Sequence, residues 1–91
     1  MSKITLEYTK KVFGRNLKYY RFINKMTQQQ LAEKLDCDTT YISDMERGSK
    51  SASFSTLTNI ANILNIRISN LFDESILNKK IPNNIRNFHY K

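Results

Sequence analysis

Ninety-one residues with 40% hydrophobic content, two glycines and one proline suit one compact, mostly helical domain that buries roughly 60–65% of its unfolded surface, with no room for a second. Fifteen Lys and Arg against eight Asp and Glu give a formal charge of +7, which points to a polyanionic partner without naming it. The single cysteine, Cys37, excludes an intramolecular disulfide and a cysteine-based zinc site, and charged residues from Lys3 onward leave no leader-like segment and no apolar run of about 18 residues, so a cytoplasmic chain with no membrane contact is expected.

The first helix is expected over 8–24, where Phe13, Leu17 and Tyr20 recur at i, i+4, i+7 and Arg21 lies on the edge of the stripe. Seven basic residues, Lys3, Lys10, Lys11, Arg15, Lys18, Arg21 and Lys25, fall in the first 25 residues against one acid, Glu7. Without a partner they would make a solvated basic face. Thr27 with Gln30 reads as a capping box that opens a second helix of about eight residues. Leu31, Ala32 and Leu35 form its inner face, and Asp36 stands where the chain needs a left-handed residue or a sharp exit.

Asp38 is the next expected N-cap. The third helix runs over 39–47, with Ile42 and Met45 inward, and Gly48 ends it. Two helices joined by the short turn Asp36, Cys37, Asp38 have the arrangement of a helix-turn-helix. A serine-rich loop leads to Ser53 as the cap of a fourth helix, whose core stripe is read as Phe54, Leu57, Ile60, Ala61 and Leu64. Asn65 can take a left-handed position, and Ile66, Ile68, Leu71 and Phe72 form a short fifth helical turn with its apolar face inward. The expected fold is all-α, a five-helix domain over 8–72 with a C-terminal extension over 73–91. That extension mixes Ile76, Leu77, Ile81, Ile85, Phe88 and Tyr90 with asparagines and Pro82, and it has three possible roles: extending a dimer interface, docking on the domain or touching phosphates.

On the third helix, Thr39, Thr40, Ser43 and Asp44 share one face, and Arg47 lies a turn further. Thr40 and Ser43 can hydrogen-bond base edges, a threonine methyl can touch a thymine methyl, and Asp44 can accept from a cytosine amine or be a plain surface charge. Tyr41 has two uses: its ring can pack beneath the helix while its hydroxyl reaches a phosphate or a base. Catalysis has no support. His89 is the lone histidine, Cys37 reads as a small buried hydrophobe, and there is neither a glycine-rich phosphate loop nor metal-ligand spacing, so no cofactor is expected.

The segments Phe13-Gly14-Arg15-Asn16-Leu17, Met26-Thr27-Gln28, Leu31-Ala32-Glu33-Lys34-Leu35, Thr40-Tyr41-Ile42-Ser43 and Glu46-Arg47-Gly48 fall in register with one family pattern, as do Ser53-Phe54-Ser55-Thr56-Leu57, Ile60-Ala61 and Asn70-Leu71-Phe72. Over about two-thirds of its length the chain resembles the Cro and lambda-repressor-like helix-turn-helix family, and especially the controller proteins of restriction-modification systems. The family commonly has glycine where Lys25 and Asp36 stand and a hydroxyl or acid cap where Arg67 stands, so a differently shaped turn is expected at Lys25.

The resemblance implies roles for particular residues. Gln28 would bond a phosphate or brace the third helix, Thr39 and Thr40 would approach bases first, and Arg47 and Lys50 would lie along the sugar-phosphate backbone. Arg21 and Glu46 match a salt bridge between the first and third helices. The last helix, through Ile68, Leu71 and Phe72 with Ile76 and Leu77 as further candidates, would form a homodimer on double-stranded DNA with two half-sites. The alternative is that these residues only close the protomer core. The implied function is transcriptional regulation of a restriction-modification operon that includes the chain's own gene, with RNA polymerase as a further partner that the resemblance allows. A phage-type repressor, an antitoxin and a protein-interaction module on the same fold are the alternatives.

Overall fold

In the computed structural model, which describes residues 3–81, helix α1 spans Leu6–Ile23, α2 Gln28–Leu35, α3 Thr39–Glu46 and α4 Phe54–Leu64, followed by 3₁₀ turns at Ile68–Phe72 and Glu74–Asn78. Each α-helix begins at a residue suited to starting one. Thr5 accepts from the Tyr8 amide at 3.0 Å, so α1 starts two residues before the apolar stripe suggests. Thr27 and Gln30 close both halves of the capping box, at 2.9 and 2.8 Å. The Ser53 hydroxyl accepts from the Thr56 amide at 3.1 Å. Asp38 departs from expectation: it has extended N-cap geometry but no side-chain cap bond, and its carbonyl alone receives the Tyr41 and Ile42 amides.

All four α-helices end in the same way. Lys25, Asp36 and Asn65 each have φ 56°, and Gly48 has φ 80°, and behind each of them the paired hydrogen bonds of a Schellman motif close on the last turn. At α1, for instance, the Lys25 amide donates to the Phe22 carbonyl at 2.9 Å and the Met26 amide to the Arg21 carbonyl at 3.1 Å. The different turn expected at Lys25 is therefore not found. Lysine occupies the left-handed position that glycine would, at a cost of about 1–2 kcal/mol, and the two bonds offset it. The residue after three of these positions, Met26, Cys37 or Ile66, packs against the core, supplying the apolar contact that accompanies the motif.

The core gathers Phe13 and Leu17 of α1, Leu31 and Ala32 of α2, Ile42 and Met45 of α3, and Leu57, Ile60, Ala61 and Leu64 of α4, closed by Leu71. Helix α1 packs on α3 and on both 3₁₀ turns, while α2 packs on α3 and α4. The expected fifth helical turn is a 3₁₀ turn, and Leu71 is its only buried residue. Arg67 does not cap it by side chain; instead its amide donates to Asn70 Oδ1 at 2.9 Å. Phe54, expected in the core stripe of α4, is 87% exposed. It is the first residue of α4, directly after the Ser53 cap, and projects at the helix end and not over the core.

Packing continues past Phe72. Ile76 is buried, and a short strap runs back along α1. Along it, Tyr8 donates to Glu74 Oε1 at 2.5 Å, Arg15 Nη2 to the Lys79 carbonyl at 3.4 Å, and the Lys79 ammonium lies 5.1 Å from the centre of the Tyr19 ring. Bonds from the Ser75 side chain and backbone hold the Asp73 carboxyl below its usual range, so this cap is complete at neutral pH and fades as pH falls through the acid range. The bond to Glu74 in turn raises the Tyr8 hydroxyl. Of the segment 73–91, residues 82–91, with Ile85, Arg86, Phe88, His89 and Tyr90, lie outside the described residues.

Asn16 joins the strap to the domain. Buried in α1, it donates from one amide nitrogen to the Val12 carbonyl at 3.0 Å and to the Asp73 carbonyl at 2.9 Å. Asn16→Ala leaves the Asp73 carbonyl without this partner and is expected to destabilise the protein by about 1–3 kcal/mol. Urea unfolding measures it, and an unchanged midpoint would mean that the strap is held by Ile76 and Tyr8 without Asn16.

Candidate nucleic-acid interface

The site is built on α3. Ile42 and Met45 are fully buried beneath it, and that fixes which face looks out. Thr39 and Thr40 are exposed at its first turn, while Ser43 and Asp44 are half-buried one turn on. The helix thus presents two hydroxyls with methyl groups at its N-terminal end, where a helix lying in a groove would meet base edges first.

The C-terminal end of α3 is charged and internally bonded. Arg47 donates to the Ser43 hydroxyl at 2.7 Å and to Asp44 Oδ1, and Lys50 lies 3.8 Å from Asp44 Oδ2. Asp44 therefore sits between two cations and orients them. Both of its carboxylate oxygens face these cations of the same chain. The Tyr41 ring packs against the core and its hydroxyl donates to the Ser51 carbonyl at 3.2 Å, tying α3 to the following loop. Of the five residues expected to read bases, the structure leaves Thr39, Thr40 and Ser43 facing outward. Arg47 and Lys50 stand beside them.

Beneath this face lies the buried pair. Arg21 Nε and Nη2 donate to the two Glu46 oxygens at 2.6 and 2.9 Å, and Arg21 Nη1 to the Met26 carbonyl at 2.9 Å. Arg21 is 0% exposed, deeper than the edge of a stripe. Gln28 Nε2 donates to Glu46 Oε1 at 3.0 Å. Of its two implied roles, Gln28 therefore fills the bracing one here, and one carboxylate links α1, the start of α2 and α3.

Around α4 and the turn after it the apolar residues divide sharply. Leu71 is 0% exposed and has no surface to offer a partner, contrary to the expected interface, and the buried Ile76 is in the same position. Ile68 and Phe72 are 46% and 38% exposed. With Phe54 and Leu57 they line a groove along α4, and Phe54, Leu57 and Phe72 also border a second one against Leu6. Sequence reasoning placed Phe54 in the core. The only local signal against that was its position directly after the Ser53 cap. Cys37 is half-buried, and its thiol is raised first by burial and then by the Asp38 and Asp36 charges, as suits a packing residue and not a nucleophile.

Fold and site together define a helix-turn-helix module whose second helix presents a hydroxyl-bearing face. The family model for helix-turn-helix proteins matches residues 17–71, and the chain belongs to that family. The chain is 39% identical over 67 residues to the immunity repressor protein of Bacillus phage phi105, and this covers 74% of the chain but only 46% of the repressor. It is also 37% identical over 62 residues to control protein C.SmaI of Serratia marcescens, covering 68% of the chain and 74% of that protein. Among solved structures, the restriction-modification controller protein C.AhdI from Aeromonas hydrophila superposes with a TM-score of 0.65 at 28% identity, covering 69% of the chain and 96% of the controller. No helix among the described residues is long and apolar enough to cross a membrane.

Proposed function

We propose that this chain is a sequence-specific DNA-binding regulator of transcription that acts in the cytoplasm as a homodimer on an operator with two half-sites and controls a restriction-modification operon including its own gene. The observation that carries the reading is the outward face of Thr39, Thr40 and Ser43, held in place from behind by the buried Arg21–Glu46 pair. Thr39 and Thr40 reach bases first, Ser43 follows, and Arg47 and Lys50 position the helix on phosphates. The similarity to controller proteins over most of their length supports the operon assignment. A protomer of this size covers few base pairs, so a second copy is needed for affinity, and the exposed Phe54, Ile68 and Phe72 offer the apolar face on which it would seat.

Fluorescence-anisotropy titration with duplex from upstream of the gene and with a shuffled duplex tests this reading. Wild type is expected to prefer the upstream duplex, and Thr40→Ala to lose roughly ten-fold or more of that preference, in line with about 1–3 kcal/mol for a base contact. Phe54→Glu is expected to sediment as a monomer and to bind the operator more weakly. Equal binding of both duplexes by wild type would rule out base reading, and a dimeric Phe54→Glu would rule out this interface.

A further inference from the structure

The left-handed residue that ends α3 also brings α1 to the edge of the site. Gly48 lies against the α1 backbone so closely that a Cβ built on it would be 3.5 Å from Lys11 Cα and 3.6 Å from the Lys10 carbonyl carbon. Lys10 borders the groove already described against Leu6, at the end formed by Ser51 and Ala52 of the loop after α3, and Lys11 is exposed. The two lysines thus flank the chain segment that carries Arg47 and Lys50. Among the described residues neither lysine has a carboxylate within ion-pair distance, whereas Arg47 and Lys50 share Asp44. Four cations therefore border this edge, with Asp44 between two of them and Glu7 one turn before the other two.

We propose that Lys10 and Lys11 bind phosphates of the same duplex that α3 reads, extending the backbone contact from the loop after α3 onto the first turns of α1. The inference rests on the DNA-binding reading above and adds residues to it. Lysine suits the role, because a compact charge on a flexible stem follows a phosphate without requiring a fixed geometry. Such contacts set affinity and register and leave sequence preference untouched.

The test is the Lys10→Gln/Lys11→Gln double variant, titrated with the upstream and the shuffled duplex over a series of salt concentrations beside wild type and Lys34→Gln, a control in the last turn of α2. Glutamine keeps most of the stem and a similar helix propensity, and circular dichroism checks the fold. The double variant is expected to bind both duplexes more weakly by a similar factor, on the order of ten-fold. Its log–log salt slope should be shallower by about 1 to 2, with the ratio between the duplexes unchanged. Lys34→Gln should match wild type. A double variant with the wild-type slope and affinity would overturn the proposal while leaving base reading by α3 standing. So would one that loses discrimination between the duplexes or dissociates into monomers, since the lysines would then be serving recognition or assembly. Wild type that binds neither duplex at any salt concentration would instead remove the DNA-binding reading, and this inference with it.

Discussion

Arg21→Ala is expected to cost about 3–5 kcal/mol, the range for breaking a buried ion pair on one side, and so to consume much of the stability of a domain of this size. The reason is what the substitution leaves behind. Glu46 would keep its carboxylate, whose side chain is 4% exposed, with only the Gln28 amide at 3.0 Å to replace two short guanidinium bonds. The Met26 carbonyl would lose its Arg21 donor as well, loosening the turn into α2. Removing both charges together, as Arg21→Met/Glu46→Leu, is expected to cost well under the sum of the two alanine variants, because no charge is then left buried alone. Urea unfolding of the two single alanine variants, Arg21→Met/Glu46→Leu and wild type measures this. An Arg21→Ala loss below about 1 kcal/mol, the range of an exposed pair, would show that the pair is hydrated and does not anchor α3.

Gly14→Ala is the second large effect expected, and it runs against helix propensity. In the interior of α1 alanine is preferred to glycine by about 1 kcal/mol, so an open position would be stabilised. Here the added Cβ would lie 2.7 Å from the Glu46 carbonyl oxygen and closer still to that of Met45. Both obstacles are backbone atoms in the last turn of α3, with no flexible side chain to give way. Either α1 and α3 separate or the end of α3 distorts, and overpacking of this kind costs about 1–3 kcal/mol or more. The net result is a loss of stability, together with weaker DNA binding, since the same turn leads into Arg47 and Gly48. Thermal unfolding and anisotropy titration on one preparation check both. A raised melting temperature would mean that the helices part easily and that propensity prevails.

These two positions show different degrees of legibility. Arg21 and Glu46 could be paired from their match to a family pattern, while Gly14 passed as one more residue in α1. A close approach between two backbones leaves no mark on periodicity, because it depends on where a second helix crosses the first.

What the sequence determined by itself was local. Hydroxyl caps at Thr27 and Ser53, left-handed exits at Asp36, Gly48 and Asn65, and apolar spacing in α1 to α4 act over a few residues, so they mark the helices and the helix-turn-helix order without reference to distant residues. They also set the outward face of α3, because Ile42 and Met45 leave Thr39, Thr40 and Ser43 the other side. Tertiary structure decided how each side chain is used. It turned Tyr41 and Asp44 to partners within the protein, left Phe54 in the open and sealed Leu71 in the core. It drew the strap around Ile76 back onto α1 and set Lys10 and Lys11 beside Gly48. The physical reason is that hydrogen bonds and burial at these positions depend on residues distant in the chain, such as Glu74 for Tyr8 and Asp73 for Asn16, and no local pattern encodes which distant residue arrives.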